Sequence, residues 1–135
     1  METIFSKIIA KEIPADIVYE DDQILAFLDI KPVNPGHTLV IPKEPVIDGV
    51  EASEETMAAV MRVAQKVARA QKKTLGCTGV NYIMNNGEDA GQEVFHAHMH
   101  VIPRYKDDNT FSSPNHNDYK EGEVTEIADK LRDTI

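Results

Sequence analysis

Positive charge is in short supply in this chain. Lysine and arginine number 14 against 23 acidic residues, a net charge of −9 over 135 residues. An excess of that size repels polyanions at long range. Nucleic acid and anionic membrane are therefore excluded as preferred partners, and a small anionic ligand has to be held by local donors. Cysteine is nearly absent as well. The single Cys77 cannot form an internal disulfide, which suits a reducing compartment. Long hydrophobic runs are missing: no stretch approaches the ~20 apolar residues of a membrane span. Met1-Glu2-Thr3 has no basic start and no long apolar segment follows it, so no secretory signal is readable. The expected location is the cytoplasm.

What remains is an ordinary globular composition, 41% hydrophobic, in a chain long enough for one well-packed core. One domain spanning 1–135 is expected, with a body over about 3–103 and a polar arm plus helix over 104–135. Ile4, Phe5, Ile8 and Ile9 have helical spacing, and Ile13-Pro14 ends that short helix. Ile17-Val18-Tyr19 and Ile24-Leu25-Ala26-Phe27-Leu28 flank the acidic turn Glu20-Asp21-Asp22 as a hairpin. The turn Pro32-Val33-Asn34-Pro35-Gly36-His37 leads into the strand Thr38-Leu39-Val40-Ile41. Ser53 is placed to cap one long helix whose apolar stripe is Met57, Val60, Met61, Ala64, Val67 and Ala68, with Gly76 near its end. Residues 79–84 alternate as a strand. Asn85 to Gln92 form a polar, glycine-containing connection, which reads either as an anion-binding nest of backbone N–H groups or as a plain hairpin loop. Arg104 to Gly122 is expected to be exposed, and Val124, Ile127, Ala128 and Leu131 mark a short C-terminal amphipathic helix. The fold class that follows is α+β: an antiparallel sheet of about five strands, one long helix, and short N- and C-terminal helices.

The densest chemistry lies in His96-Ala97-His98-Met99-His100-Val101-Ile102-Pro103. Three of the chain's five histidines alternate with apolar residues, the period of a strand with one face buried. On such a strand the imidazoles form a row spaced ~6.6 Å apart, with Ala97, Met99 and Val101 turned to the core and Pro103 ending the pairing. A row of this kind suits nucleophilic and proton-transfer chemistry near neutral pH. It could also contribute to a metal site. All three could not bind one ion from a straight strand, because His96 and His100 stand ~13 Å apart at the backbone, so a residue such as His37 would have to join them.

This stretch resembles the signature of the histidine-triad (HIT) superfamily of nucleotide hydrolases and transferases. The likeness extends from about Thr3 to Pro103. Thr3-Ile4-Phe5-Ser6-Lys7-Ile8-Ile9, Glu12-Ile13-Pro14-Ala15, Phe27 to Ile30, Leu39-Val40-Ile41-Pro42-Lys43 and Asn85 through Gln92 are similar to its Hint branch. The resemblance implies His98 as the nucleophile on an α-phosphate, with His96 and His100 orienting it or assisting charge and proton transfer. His37 becomes a supporting relay. It further implies that Asp29 holds the ribose hydroxyls and that Ile4, Phe5, Ile8, Ile13, Phe27 and Ile30 form an apolar cleft for a purine base. Asn85, Gly91, Gln92 and Glu93 would line the phosphate site.

The implied activity is release of a nucleoside monophosphate from AMP–X compounds, as in nucleoside phosphoramidases. The alternatives are a dinucleoside polyphosphate hydrolase and a nucleotide-binding regulatory protein with vestigial turnover. The implied partners are a purine nucleotide and a second copy of the chain, as a homodimer on the long helix and the strand after it. No cofactor is implied. Many bacterial relatives hold a structural zinc on two N-terminal cysteines and a later histidine. Thr3, Ser6 and Pro45 stand at those positions here, so no metal is expected. Glu93 stands where several branches have serine or threonine, and Ala97 replaces the proline of the nucleotidylyltransferase branch.

Overall fold

A computed structural model describes residues 2–108 and 114–135. The elements are α1 (Ile4–Ile9), β1 (Ile17–Glu20), β2 (Ile24–Leu28), β3 (Thr38–Pro42), α2 (Glu54–Leu75), β4 (Gly79–Ile83), a 3₁₀ turn (Glu88–Ala90), β5 (Met99–Arg104) and α3 (Glu123–Thr134). The five strands form one antiparallel sheet in the order β1-β2-β3-β5-β4. The expected α+β architecture is therefore the observed one.

Local chemistry places the helices. The Thr3 hydroxyl accepts from the Ser6 N–H at 3.2 Å while the Ser6 hydroxyl accepts from the Thr3 N–H at 2.8 Å. This reciprocal cap holds a helix of 6 residues that is too short to persist alone. Ser53 accepts from the Thr56 N–H at 3.1 Å to start α2, and Gly76 closes it at φ +72°, a left-handed conformation that glycine adopts without steric cost.

Strands β2 and β3 are buried on both faces, so Ile24, Leu25, Ala26 and Phe27 are all inside. On the rear face, Ile24, Ala26, Val40, Met99 and Val101 pack against Ala59, Val60, Val63, Ala64, Val67 and Ala68 of α2. On the front face, Leu25, Phe27, Leu39 and Ile41 pack beneath Phe5 and Ile8 of α1. The α2 stripe differs from expectation at Met61, and it takes in Ala59, Val63 and Gln71 besides. Met61 is 42% exposed, whereas Val63 is fully buried. Met61 lies about 100° around the helix from Val60, off the line that faces the sheet.

The histidine strand also begins later than its alternation predicts. Only Met99–Arg104 is paired, and His96 and His98 lie before it in the approach, His96 at a bend. There the Ala97 N–H donates to the Val46 carbonyl at 2.8 Å, which ties the approach to the loop after β3 instead of to the ladder. Nor does Pro103 end the pairing: it stands opposite Val80, and Arg104 stands opposite Gly79. The Pro103 carbonyl accepts from the Asn34 side chain at 2.9 Å. Its N therefore faces the side where β3 no longer supplies an acceptor, so the missing N–H costs nothing.

The arm starts later too. Arg104 Nε donates to Asp108 at 2.9 Å, and its guanidinium also reaches Asn81 at 2.7 Å, so residues up to Asp108 stay fastened to the sheet. Of the expected exposed arm, 109–113 lie outside the described residues, while 114–122 are exposed. α3 forms where expected and buries none of its residues. No described helix is long and apolar enough to cross a membrane.

Candidate active site

The four histidines named from the sequence meet at the front of the sheet, and their hydrogen bonds fix which nitrogen carries each proton. A carbonyl oxygen only accepts, so His96 Nε2–H donates to the Pro42 carbonyl and His98 Nδ1–H donates to the His96 carbonyl, both at 2.7 Å. His98 Nε2 is left with its lone pair. The Val33 N–H donates to His37 Nδ1 at 3.0 Å, so neutral His37 carries its proton on Nε2. That proton faces His100 Nδ1 at 2.9 Å, and neutral His100 consequently bears its own proton on Nε2. A lone pair on His98 thus stands beside an N–H on His100, with ring centroids 5.1 Å apart.

Burial keeps these rings uncharged. It is the largest influence on all four, lowering His37, His96 and His98 below the ordinary 6.5. His100 is lowered to about 4, by burial first and then by repulsion from His98 and His37. Around neutral pH the row presents an unprotonated ring nitrogen on His98 and a neutral N–H on His100.

The row opens into a cleft of about 550 Å³, within the size range of small-molecule sites. Ile4, Phe5, Asp29, Ile30, Asn85, Gly91, Glu93, His98 and His100 line it as expected. Phe5 meets His98 edge-on at 5.0 Å and Phe27 at 5.6 Å. Lys31, Leu39 and Val94 also line the cleft and were not read from the sequence. Leu39 was findable only through register, since it sits opposite His100 across β3 and β5.

Other expected site residues lie behind the surface. Ile8 and Phe27 are buried in the front-face core and Ile13 packs against it. His96 and His37 are almost wholly buried, so they can act on a ligand only through other groups. Gln92 is a buried brace: its Oε1 accepts from the Gly87 N–H at 2.8 Å, and its Nε2 donates to the carbonyls of Ile47 and Val94 at 2.7 and 3.0 Å.

The connection before the row is built around a 3₁₀ turn, Glu88–Ala90. Gly87 and Gly91 take φ +95° and +93°. The N–H groups of Ala90, Gly91 and Gln92 are spent on the carbonyls of Gly87, Glu88 and Gly87. Asp29 is poised differently. Its Oδ1 accepts from the Lys31 N–H at 2.8 Å, while Oδ2 lies 3.8 Å from His37 Nε2, beyond a hydrogen bond, and remains available to a hydroxyl.

Asp29, His37 and His100 could be considered as metal ligands, since their ligand atoms lie within 4.8 Å of one another. The proton positions oppose it. His37 Nδ1 is taken by Val33, and the facing nitrogens of His37 and His100 already share one proton, so an ion would have to displace that proton and break the pair. The N-terminal zinc position fits no better, because the Thr3 and Ser6 hydroxyls cap α1 and bring no thiolate or imidazole.

A family model described as the HIT domain matches residues 10–107. The chain is 44% identical to "Protein hit" of Bacillus subtilis (strain 168) over 131 residues, 95% of this chain and 90% of that one. It is 45% identical to the purine nucleoside phosphoramidase of Escherichia coli (strain K12) over 104 residues, 75% of this chain and 86% of that one. Among solved structures, the crystal structure of a HIT family member from Bacillus subtilis matches with a TM-score of 0.89 at 41% identity, over 98% of this chain and 96% of that one. Matched by the family model over most of its length, and by relatives at 44–45% identity over three quarters of it or more, the chain belongs to the HIT family.

Proposed function

We propose that this protein is a nucleotide hydrolase that cleaves AMP–X compounds, phosphoramidates foremost, and releases the purine nucleoside monophosphate through a nucleotidyl-histidine at His98. The observation that carries the reading is the His98 Nδ1–H bond to the His96 carbonyl. It orients the ring and leaves Nε2 unprotonated at the cleft, as attack on phosphorus requires. The purine rests against Ile4, Phe5 and Ile30, and the ribose hydroxyls reach Asp29 Oδ2. In the first step the His98 Nε2–P bond forms and the P–N bond breaks. The departing nitrogen keeps the electron pair and takes a proton from solvent, while the His100 Nε2–H donates a hydrogen bond to a phosphoryl oxygen. In the second step water attacks phosphorus, releases a proton to solvent, and the His98 Nε2–P bond breaks. The E. coli relative's name supports this substrate class. The experiment is a panel of adenosine phosphoramidates and diadenosine polyphosphates, with rapid quenching of labelled substrate. Label on His98 and faster turnover of the phosphoramidates are expected. Label elsewhere, or preference for the polyphosphates, overturns the reading.

The same reading includes a homodimer on the outer face of α2 and on β4. β4 is an edge strand carrying the 43%-exposed Tyr82, and an unpaired edge is a ready surface for another copy. Met61 and Val50 are exposed and apolar. Ala64 and Ala68 are buried against their own sheet and take no part in it. A dimeric mass by light scattering at micromolar concentration is the expected result, and a monomeric mass refutes it.

A further inference from the structure

We propose that Glu93 makes the wall formed by residues 85–93 a subsite for a leaving group that carries a positive charge of its own, such as a diamine joined to the phosphate through one nitrogen. The inference rests on the phosphoramidase reading and names its substrate class. The cleft has two kinds of wall. α1 contributes apolar side chains, Ile4 and Phe5, and the turn after β2 contributes Asp29, whose free Oδ2 suits a hydroxyl; together they suit a nucleoside. The segment 85–94 contributes Asn85, Gly91 and Glu93, with Val94 its one apolar side chain. Among the described residues no hydrogen bond or ion pair engages the exposed Glu93 carboxylate, which lines the same cleft as His98 and His100.

Charge decides what that wall accepts. Two carboxylates, Asp29 and Glu93, face one lysine, Lys31, around the cleft, and the histidines there are uncharged. A leaving group built of further phosphates would bring several negative charges towards Glu93 on a chain already at −9. A leaving group with a distal ammonium brings the opposite charge, and the local field then favours it. Chemistry at phosphorus is unchanged: the P–N bond breaks, the departing nitrogen keeps the pair and takes a proton from solvent, and the distal ammonium stays protonated throughout.

The test compares three adenosine 5′-phosphoramidates whose leaving groups share a three-carbon chain: 1,3-diaminopropane (cationic), propylamine (neutral) and β-alanine (anionic). kcat/KM is measured for each at low and high salt in wild type and in Glu93→Gln. Binding of the same compounds to His98→Ala is measured by calorimetry, independently of turnover. The expected wild-type order is cationic, then neutral, then anionic, with steps of roughly three- to fivefold that shrink with salt and collapse in Glu93→Gln. The same order is expected in the binding data. Turnover without a charge order, or an order that Glu93→Gln leaves intact, overturns the subsite while the phosphoramidase reading stands. A charge order in binding with no turnover of any compound upholds the subsite and overturns the phosphoramidase reading.

Discussion

The two faces of the sheet use the same strands for opposite ends. The rear face is covered by a helix of 22 residues, and its small side chains, Ala59, Val63, Ala64 and Ala68, let the backbone lie close against Ile24, Val40 and Val101. The front face is covered by a helix of 6 residues. That cover extends over Leu25, Phe27, Leu39 and Ile41 and then stops. Beyond it the histidine row is left walling an open cleft. Complete cover yields stability, whereas incomplete cover yields a site, and alternate residues of one strand serve both: Met99 and Val101 face the rear while His100 looks to the front.

Substitution should separate these roles, and the largest effect belongs to the front. His98→Ala is expected to lower kcat by roughly 10⁴-fold or more, since it removes the nucleophile. AMP affinity should change only a few-fold, because the apolar wall and Asp29 make contacts that do not depend on His98. His100→Ala should cost ~10²–10³-fold, the range for a lost hydrogen-bond donor at developing charge. Both are checked by steady-state kinetics beside calorimetric binding of AMP. If His98→Ala keeps near-normal turnover, the front face is not where the chemistry happens.

The matching test at the rear is Ile24→Ala. It removes a fully buried side chain beneath α2 and should lower unfolding free energy by ~2–5 kcal/mol. Under conditions where the variant remains folded, kcat should stay within twofold of wild type. Denaturant melts beside kinetics on one preparation decide it. A large loss of kcat in the folded variant would mean that the rear face also tunes the site.

The rear face was nearly legible in the sequence, because burying one stripe of a helix and alternate residues of a strand imposes periods that survive without coordinates. Its errors, Met61 named where Val63 and Ala59 face the sheet, are a matter of helix rotation, which depends on where the partner surface lies. The front face was legible as a set of residues and not as a mechanism. The proton positions depend on the Pro42 carbonyl for His96 and on His37 for His100, partners 54 and 63 residues away. Depth was hidden as well. Ile8, Phe27 and Ile13 match the apolar pattern as well as Ile4 and Phe5 do, and only packing decides which reach the cleft. Gln92 reads as a ligand-facing amide until its two ends are seen to hold the loop.

A smaller effect should separate the faces by pH. His37, His96, His98 and His100 have folded pKa values held below the 6.5 of an ordinary histidine. As pH falls below 6.5 the unfolded chain takes up protons that the folded chain refuses, so folding loses free energy. The loss should begin near pH 6.5 and deepen until His100 itself protonates near pH 4, with no slope from this source above 6.5. Thermal melts across that window should show the decline. Ile24→Ala should shift the whole curve and keep its shape, while His100→Asn should flatten it. An unchanged slope in His100→Asn would mean that this histidine is not held neutral by its surroundings. The acid limb of kcat/KM should likewise fall below 6.5, because His98 must be unprotonated to attack.

The smallest expected effect is that of a chelator, which should be none. Two positions would make it otherwise, and the side chains at both are engaged. At the N-terminus the Thr3 and Ser6 hydroxyls cap α1, and Pro45 offers no side-chain ligand to join them. At the front face Asp29, His37 and His100 come close enough to share an ion. His37, however, cannot free Nε2 while Nδ1 accepts from Val33, unless it loses a proton outright or the Val33 N–H is left without an acceptor. His100 Nδ1 is occupied by that same His37 proton. Turnover and melting temperature should therefore be the same in EDTA as in its absence, and the purified protein should carry less than a tenth of an equivalent of zinc, about the background of ordinary handling. Stoichiometric zinc whose removal abolishes turnover would overturn the proton assignment at His37, and with it the role given to the neutral N–H of His100.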